Sequence, residues 1–172
     1  MIKHIPDMSA LAGPLTEAGF PAMHFHPSDV QPFNLVRAVL DPDEDEPSLY
    51  LEVVPVAGLQ DLHILQFLVG LPADIVPENC ETLARYLLDL NVEALLGGFG
   101  MRADNQLLYF RAMVPQATNA LDIPLLVETV WTISYLVDRF LPLIKPVAAG
   151  EQTLDEALGT LRRHLAAPYV PS

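Results

Sequence analysis

The sequence predicts an α+β fold, an antiparallel sheet of about five strands flanked by helices. Three observations lead there. Strand-like runs come in consecutive groups joined by turn-forming residues, which is the pattern of hairpins. Segments of helical period lie between and after these groups rather than alternating with single strands, so a parallel βαβ sheet is disfavoured. Apolar residues make up 51% of the 172-residue chain and charged residues 18%, enough to bury a core and too little charge for a disordered one.

The elements follow in order. Met8 to Gly19 reads as a short helix with Leu11, Leu15 and Ala18 on one stripe and Gly19 as its stop; Pro14 is expected in its first turn, which would start the helix there. Phe33 to Leu40 and Ser48 to Val54 read as two strands joined by the acidic loop Asp41 to Pro47. His63 to Val69, closed by Gly70 and Pro72, is nearly continuous in apolarity and reads as a central strand. Glu78 to Leu96 reads as a helix with Cys80, Ala84, Leu87, Leu88 and Leu95 facing the core, ended by Gly97-Gly98. A second hairpin joins Phe99–Ala103 to Leu107–Val114 through Asp104-Asn105. Leu125 to Ile144 is a long apolar helix with Asp122 as N-cap, Pro124 in its first turn and Pro142 expected to kink or end it. Glu128, Asp138 and Arg139 interrupt it, and such charges at bilayer depth cost about 2.5–3.5 kcal/mol each, so a core helix is the better reading. The last helix opens on the capping box Thr153-Leu154-Asp155-Glu156, with Leu154, Leu158, Leu161 and Leu165 as its stripe; Ala166 to Ser172 reads as a loose tail. No linker divides the chain, so residues 1–172 are expected to form one domain.

Charge and cysteine usage narrow the function. With 22 acidic and 9 basic residues the net charge is −13, which disfavours nucleic acid and anionic membranes as partners. A single cysteine makes no internal disulfide, and Met1 to Phe20 lacks the apolar core of a signal peptide; both suit a cytoplasmic protein.

Few residue groups carry a chemical pattern. His24 and His26 point to one face if their segment is extended, as two metal ligands do, and Asp29 is a possible third. The plainer reading is a pair of ordinary histidines on a strand edge. Asp41, Asp43, Asp45 and Glu52 match positions one, three, five and twelve of a calcium loop, but Glu46 stands where the turn glycine belongs, and a solvated hairpin loop explains the run better. Cys80 opens a helix, where a thiol is activated, yet it also lies on the apolar stripe as a structural cysteine would. No nucleophile, acid/base, phosphate-loop or dinucleotide motif is present, so no catalytic residue and no cofactor or metal site is assigned. Trp131 and Tyr135, four apart on the long helix, share a face that is either core or interface.

The stretch Leu83-Ala-Arg-Tyr-Leu-Leu-Asp-Leu-Asn91, the turn Leu96-Gly-Gly-Phe-Gly100, the strand Leu107-Leu-Tyr-Phe-Arg111 and the long helix closing in Phe140-Leu-Pro-Leu-Ile144 and Ala149-Gly150 resemble, in order and spacing, the YbjN-like proteins of the type III secretion chaperone-like fold. The resemblance spans residues 83–150 and implies a small acidic bacterial protein of the cytoplasm, a homodimer without catalytic residues that binds partner segments along apolar surface. The expected function is therefore a non-enzymatic protein-binding module, chaperone-like or a regulatory adaptor. Its expected interface residues are Tyr109 and Arg111 on the second hairpin and Trp131 and Tyr135 on the long helix. A small-molecule or metal-binding module, resting on His24, His26 and residues 41–46, is the alternative, and an enzyme with an unrecognised site is a weaker one. The homodimer is also expected because the long helix is apolar on more than one face, a surplus that other elements or a second chain must cover.

Overall fold

A computed structural model describes residues 7–29, 32–44, 48–59, 62–102, 104–117 and 121–166. Asp45, Glu46, Ala103 and the tail beyond Ala166 lie outside these. The chain is α+β, with helices α1 (Ser9–Glu17), α2 (Cys80–Asn91), α3 (Ile123–Ala148) and α4 (Leu154–Ala166). Its strands are β1 (Ala22–Phe25), β2 (Leu35–Val39), β3 (Tyr50–Leu59), β4 (Leu62–Leu71), β5 (Gly98–Arg102) and β6 (Leu107–Ala117).

The six strands form one antiparallel sheet in the order β1-β2-β3-β4-β6-β5. The strand missing from the sequence reading is β1, four residues whose burial shows no clean alternation and which carry both a histidine and an exposed Met23. Pairing with β2, from Ala22 opposite Ala38 to Phe25 opposite Leu35, makes it a strand. β4 lies inside the sheet, as its apolarity indicates, and alternates strictly: His63, Leu65, Phe67, Val69 and Leu71 are buried and the residues between are not.

Cross-strand register extends this alternation over the whole sheet. Val36, Val53, Phe67 and Ala112 share one face with Leu51, Val69, Phe110 and Phe99. That face meets the helices in a single apolar cluster, where Phe99 stands edge-on to Phe110 at 5.0 Å and to Phe140 of α3 at 6.0 Å. Among the described residues all four helices contribute to this cluster. Among the described residues no helix lies on the opposite sheet face.

Most local signals hold. α1 ends at Gly19 (φ +95°) with the Phe20 amide donating to the Leu15 carbonyl and the Gly19 amide to Thr16, a Schellman motif. Pro14 sits inside α1 and does not start it; the carbonyl it leaves unbonded, that of Ala10, belongs to an exposed residue that water reaches. Asp122 caps α3 by accepting from the Leu125 amide (3.2 Å). α3 also runs through Pro142 and Pro146 to Ala148 instead of ending at Pro142. Pro142 and Asp138, whose carbonyl loses its amide partner, are both exposed, so solvent replaces the bond. Gly150 (φ +76°) then closes a second Schellman motif, with Glu151 donating to Pro146 and Gly150 to Val147. The capping box of α4 forms as expected: the Glu156 carboxylate accepts from the Thr153 amide (2.9 Å) and hydroxyl (2.8 Å), and Thr153 Oγ1 accepts from the Glu156 amide at a longer 3.4 Å. The core side of α4 is centred on Ala157 and Leu161, with Leu154, Leu158 and Leu165 only partly buried.

The largest correction concerns α2. It stops at Asn91 rather than Leu96, and it buries Leu83, Tyr86, Leu87 and Leu90. Leu88 and Leu95, expected in the core, are 71% and 81% exposed. Asn91 turns its amide onto the edge strand β5: Oδ1 accepts from the Phe99 amide at 2.7 Å and Nδ2 donates to the Phe99 carbonyl at 2.8 Å. The side chain thus takes the place of a neighbouring strand and occupies the edge. Gly97 makes the return possible. At φ +68° a Cβ would lie 2.3 Å from the Arg111 carbonyl oxygen, so only glycine fits.

Candidate functional site

The four interface residues expected from sequence do not form one site. Tyr109 and Arg111 lie on the bare face of the sheet, while Trp131 and Tyr135 lie on the outer stripe of α3, in the helix layer.

On the sheet, two register rows cross the bare face. One runs Gly98, Arg111, Leu68, Glu52, Arg37 from β5 to β2, and the next runs Gly100, Tyr109, Gly70. Tyr50, opposite Val39 on β2, continues that second row. The Tyr109 ring lies across Gly100, where a Cβ would come within 2.7 Å of it. Gly70 leaves a gap beside Tyr50, and Arg37, Ser48, Tyr50, Glu52, Leu68 and Gly70 line a depression of about 360 Å³. Tyr50 and Met113 are each 44% exposed here. Arg37 binds Glu52 across the strands, Nη2 to Oε1 at 2.6 Å, with its guanidinium 5.3 Å from the Phe25 ring centre. Arg102 forms a two-pronged pair with Asp104, which raises the guanidinium pKa and lowers that of the carboxyl. The Arg111 side chain is exposed and makes no ion pair or hydrogen bond with the described residues. Glu52 is the one carboxylate at the outward strand positions among the described residues.

On α3 the outer stripe is Glu128, Trp131, Tyr135, Asp138, Pro142 and Lys145. Trp131 stands edge-on to the buried Phe20 at 4.6 Å and keeps 51% of its surface exposed. The Tyr135 hydroxyl accepts from Arg139, whose guanidinium also lies 5.8 Å from the Tyr135 and Phe140 ring centres. Val130, Ile133, Leu136, Val137 and Phe140 are buried inside the chain, Val127 and Leu143 are partly buried, and Leu125 in the first turn is 47% exposed. Elements of the same chain therefore cover most of the surplus that had suggested a second chain, and leave Leu125 and half of Trp131 exposed. Where α3 ends, a groove of about 760 Å³ lies between Leu71, Leu107, Pro142, Lys145 and Pro146, with Asp74 and Glu151 on its rim.

The histidine pair is structural in its contacts. His24 Nε2 is 2.6 Å from Asn34 Oδ1, and the His24 and His26 rings meet edge to face at 4.4 Å. Nearby Asp7 has a carboxyl pKa lowered first by its hydrogen bonds from Ser9 and then by these histidines. Among the described residues no three His, Cys, Asp or Glu side chains converge as a metal site requires. In the acidic loop Asp41 accepts from the Ser48 amide (2.8 Å) and the Leu49 amide (3.0 Å), closing the hairpin, and Glu52 is held by Arg37. This arrangement does not fit the calcium-loop pattern; Asp45 lies outside the described residues. Cys80 opens α2 partly buried against the core.

Sequence reasoning did not single out Tyr50, Leu68 or Asn91. The signal for Tyr50 was present: alternation in residues 48–54 places it opposite in phase to Leu49, Leu51 and Val53, and so outward. No helix among the described residues is long and apolar enough to cross a membrane. No protein-family model, curated protein or solved structure matches this chain.

Proposed function

We propose that the protein is a non-enzymatic protein-binding module of the cytoplasm, a chaperone-like or regulatory adaptor that works as a homodimer and is related to the YbjN-like proteins of type III secretion chaperone-like fold. The observation that carries this reading is Trp131. A large aromatic side chain, half exposed on a rigid 26-residue helix and braced from below by Phe20, is the kind of anchor that dominates protein interfaces. Covering its exposed half, roughly 100 Å² of apolar surface, contributes about 2–3 kcal/mol. Tyr135 extends the anchor along the same stripe. The net charge of −13 favours basic partner segments, which it steers from a distance.

The test is a pull-down with the full chain from cell extract, comparing wild type with Trp131→Ala after circular dichroism has shown both folded. We expect a reproducible protein partner that the variant loses. No reproducible partner, or equal capture by both proteins, overturns the reading. The groove at the end of α3 supports a second one, small-molecule binding, since its volume falls in the range of ligand sites. A ligand-induced rise in melting temperature that Lys145→Ala abolishes would favour it.

A further inference from the structure

We propose that two copies of this chain pair face to face through the bare sheet, about a twofold axis running along β4. This rests on the homodimer part of the reading above and names its surface. The argument is the pattern of side chains across the sheet. A twofold axis along β4 lays β4 on the partner's β4, β6 on its β3, and β5 on its β2. In the first row Arg111 then faces the partner's Glu52, Leu68 meets its own copy at the axis, and the long Arg37 falls over glycine at position 98. In the second row Tyr109 faces the partner's Tyr50 on either side of the gap at Gly70. In the third, Met113 lies over Val54, and Gln66 meets Gln66, whose amides pair with each other. Every row is self-complementary about the same strand.

The pairwise match of charges across the axis, and not the net charge, favours a second copy as the occupant. Two such chains repel over most of their surface, each carrying −13. The bare face is the exception: it presents three arginines against one strand carboxylate, and two of the three are already paired within the chain. Arg111 is the arginine without a side-chain partner among the described residues, and the carboxylate that the axis brings to it is Glu52, which also binds Arg37 of its own chain through Oε1. Sheets packed in this way lie about 10 Å apart with strand directions within about 30° of each other, and the twist of each sheet carries the outer strands out of line, so matching is closest near the axis, where Leu68, Arg111 and Glu52 lie.

The experiment is sedimentation equilibrium on the full chain. Wild type is expected to be a dimer at micromolar concentration. Arg111→Glu and Glu52→Arg should each weaken it at least about tenfold, because the twofold axis doubles each like-charge contact, and the double swap should restore most of the loss. Leu68→Cys in a Cys80→Ser background should cross-link to itself with a short bis-maleimide, while Trp131→Cys should not. The cross-link decides the matter if a charge variant fails to fold. A dimer indifferent to both swaps, or one that cross-links through position 131 and not 68, overturns the proposed surface and leaves the homodimer standing. A wild-type monomer overturns both. A Leu68→Cys thiol shielded only in cell extract assigns the face to another protein and also overturns the inference.

Discussion

Asn91 does for β5 what a seventh strand would do. Its amide returns both hydrogen bonds that the Phe99 peptide offers at the sheet edge. Asn91→Leu removes both and leaves two edge groups to solvent at best, so we expect a loss of about 1–3 kcal/mol, read as a lower denaturant midpoint. Thr153→Ala should cost about 1 kcal/mol by removing the α4 cap, measured the same way. His164 carries a pH signature. Burial, and then the nearby Arg139, push its pKa below the ordinary value. The unfolded chain therefore takes up a proton before the folded one does, and folding stability falls as pH drops from about 6.5. A His164→Gln variant should show a flatter stability profile between about pH 7 and 5, where wild type declines.

At the scale of the element, α2 shows where periodicity stops being informative. Leucines at 83, 87, 88 and 90 surround the helix and Leu95 and Leu96 continue the run beyond its end, so an apolar stripe can be drawn on either side. Tyr86 and the docking of Asn91 on β5 select the face that turns inward. The contrast is testable. Leu88→Asp should melt within about 0.5 kcal/mol of wild type, because its side chain is in water. Leu83→Asp and Leu87→Asp each bury an unpaired carboxylate at a cost of several kcal/mol, against a total of about 5–15, and should unfold the chain. The start of the last helix was legible to the residue because a capping box is local chemistry between positions three apart, whereas its buried side, centred on Ala157 and Leu161, was not.

For the whole molecule, the layering decides what is available for binding. With the helices on one face of the sheet, the described residues present two unlike surfaces: a sheet face without a helix on which the Arg111 side chain is unpaired, and a helix stripe with the half-exposed Trp131. If a basic segment docks on the tryptophan stripe, long-range charge governs encounter and apolar contact governs residence. Raising salt should then slow association and leave dissociation nearly unchanged, while Trp131→Ala should speed dissociation, both measurable by surface-immobilised binding kinetics. A salt effect confined to dissociation would place the ion pairs inside the interface instead.

The sequence by itself determined the α+β class, the hairpins β2–β3 and β5–β6, the central place of β4, and the caps at Gly19, Asp122 and Thr153. Each of these depends on alternation, turn residues or bonds between near neighbours in the chain. Only the tertiary structure decided that β1 is a strand, which way α2 faces, that α3 continues past Pro142, and that Trp131 stays half exposed while Val130 and Ile133 do not. These depend on contacts between distant segments: β1 acquires its conformation by pairing with β2, α2 is oriented by β5, and α3 is covered by elements from both ends of the chain. A residue's type states what it is able to bury; which side of an element is withdrawn from water is set by what packs there.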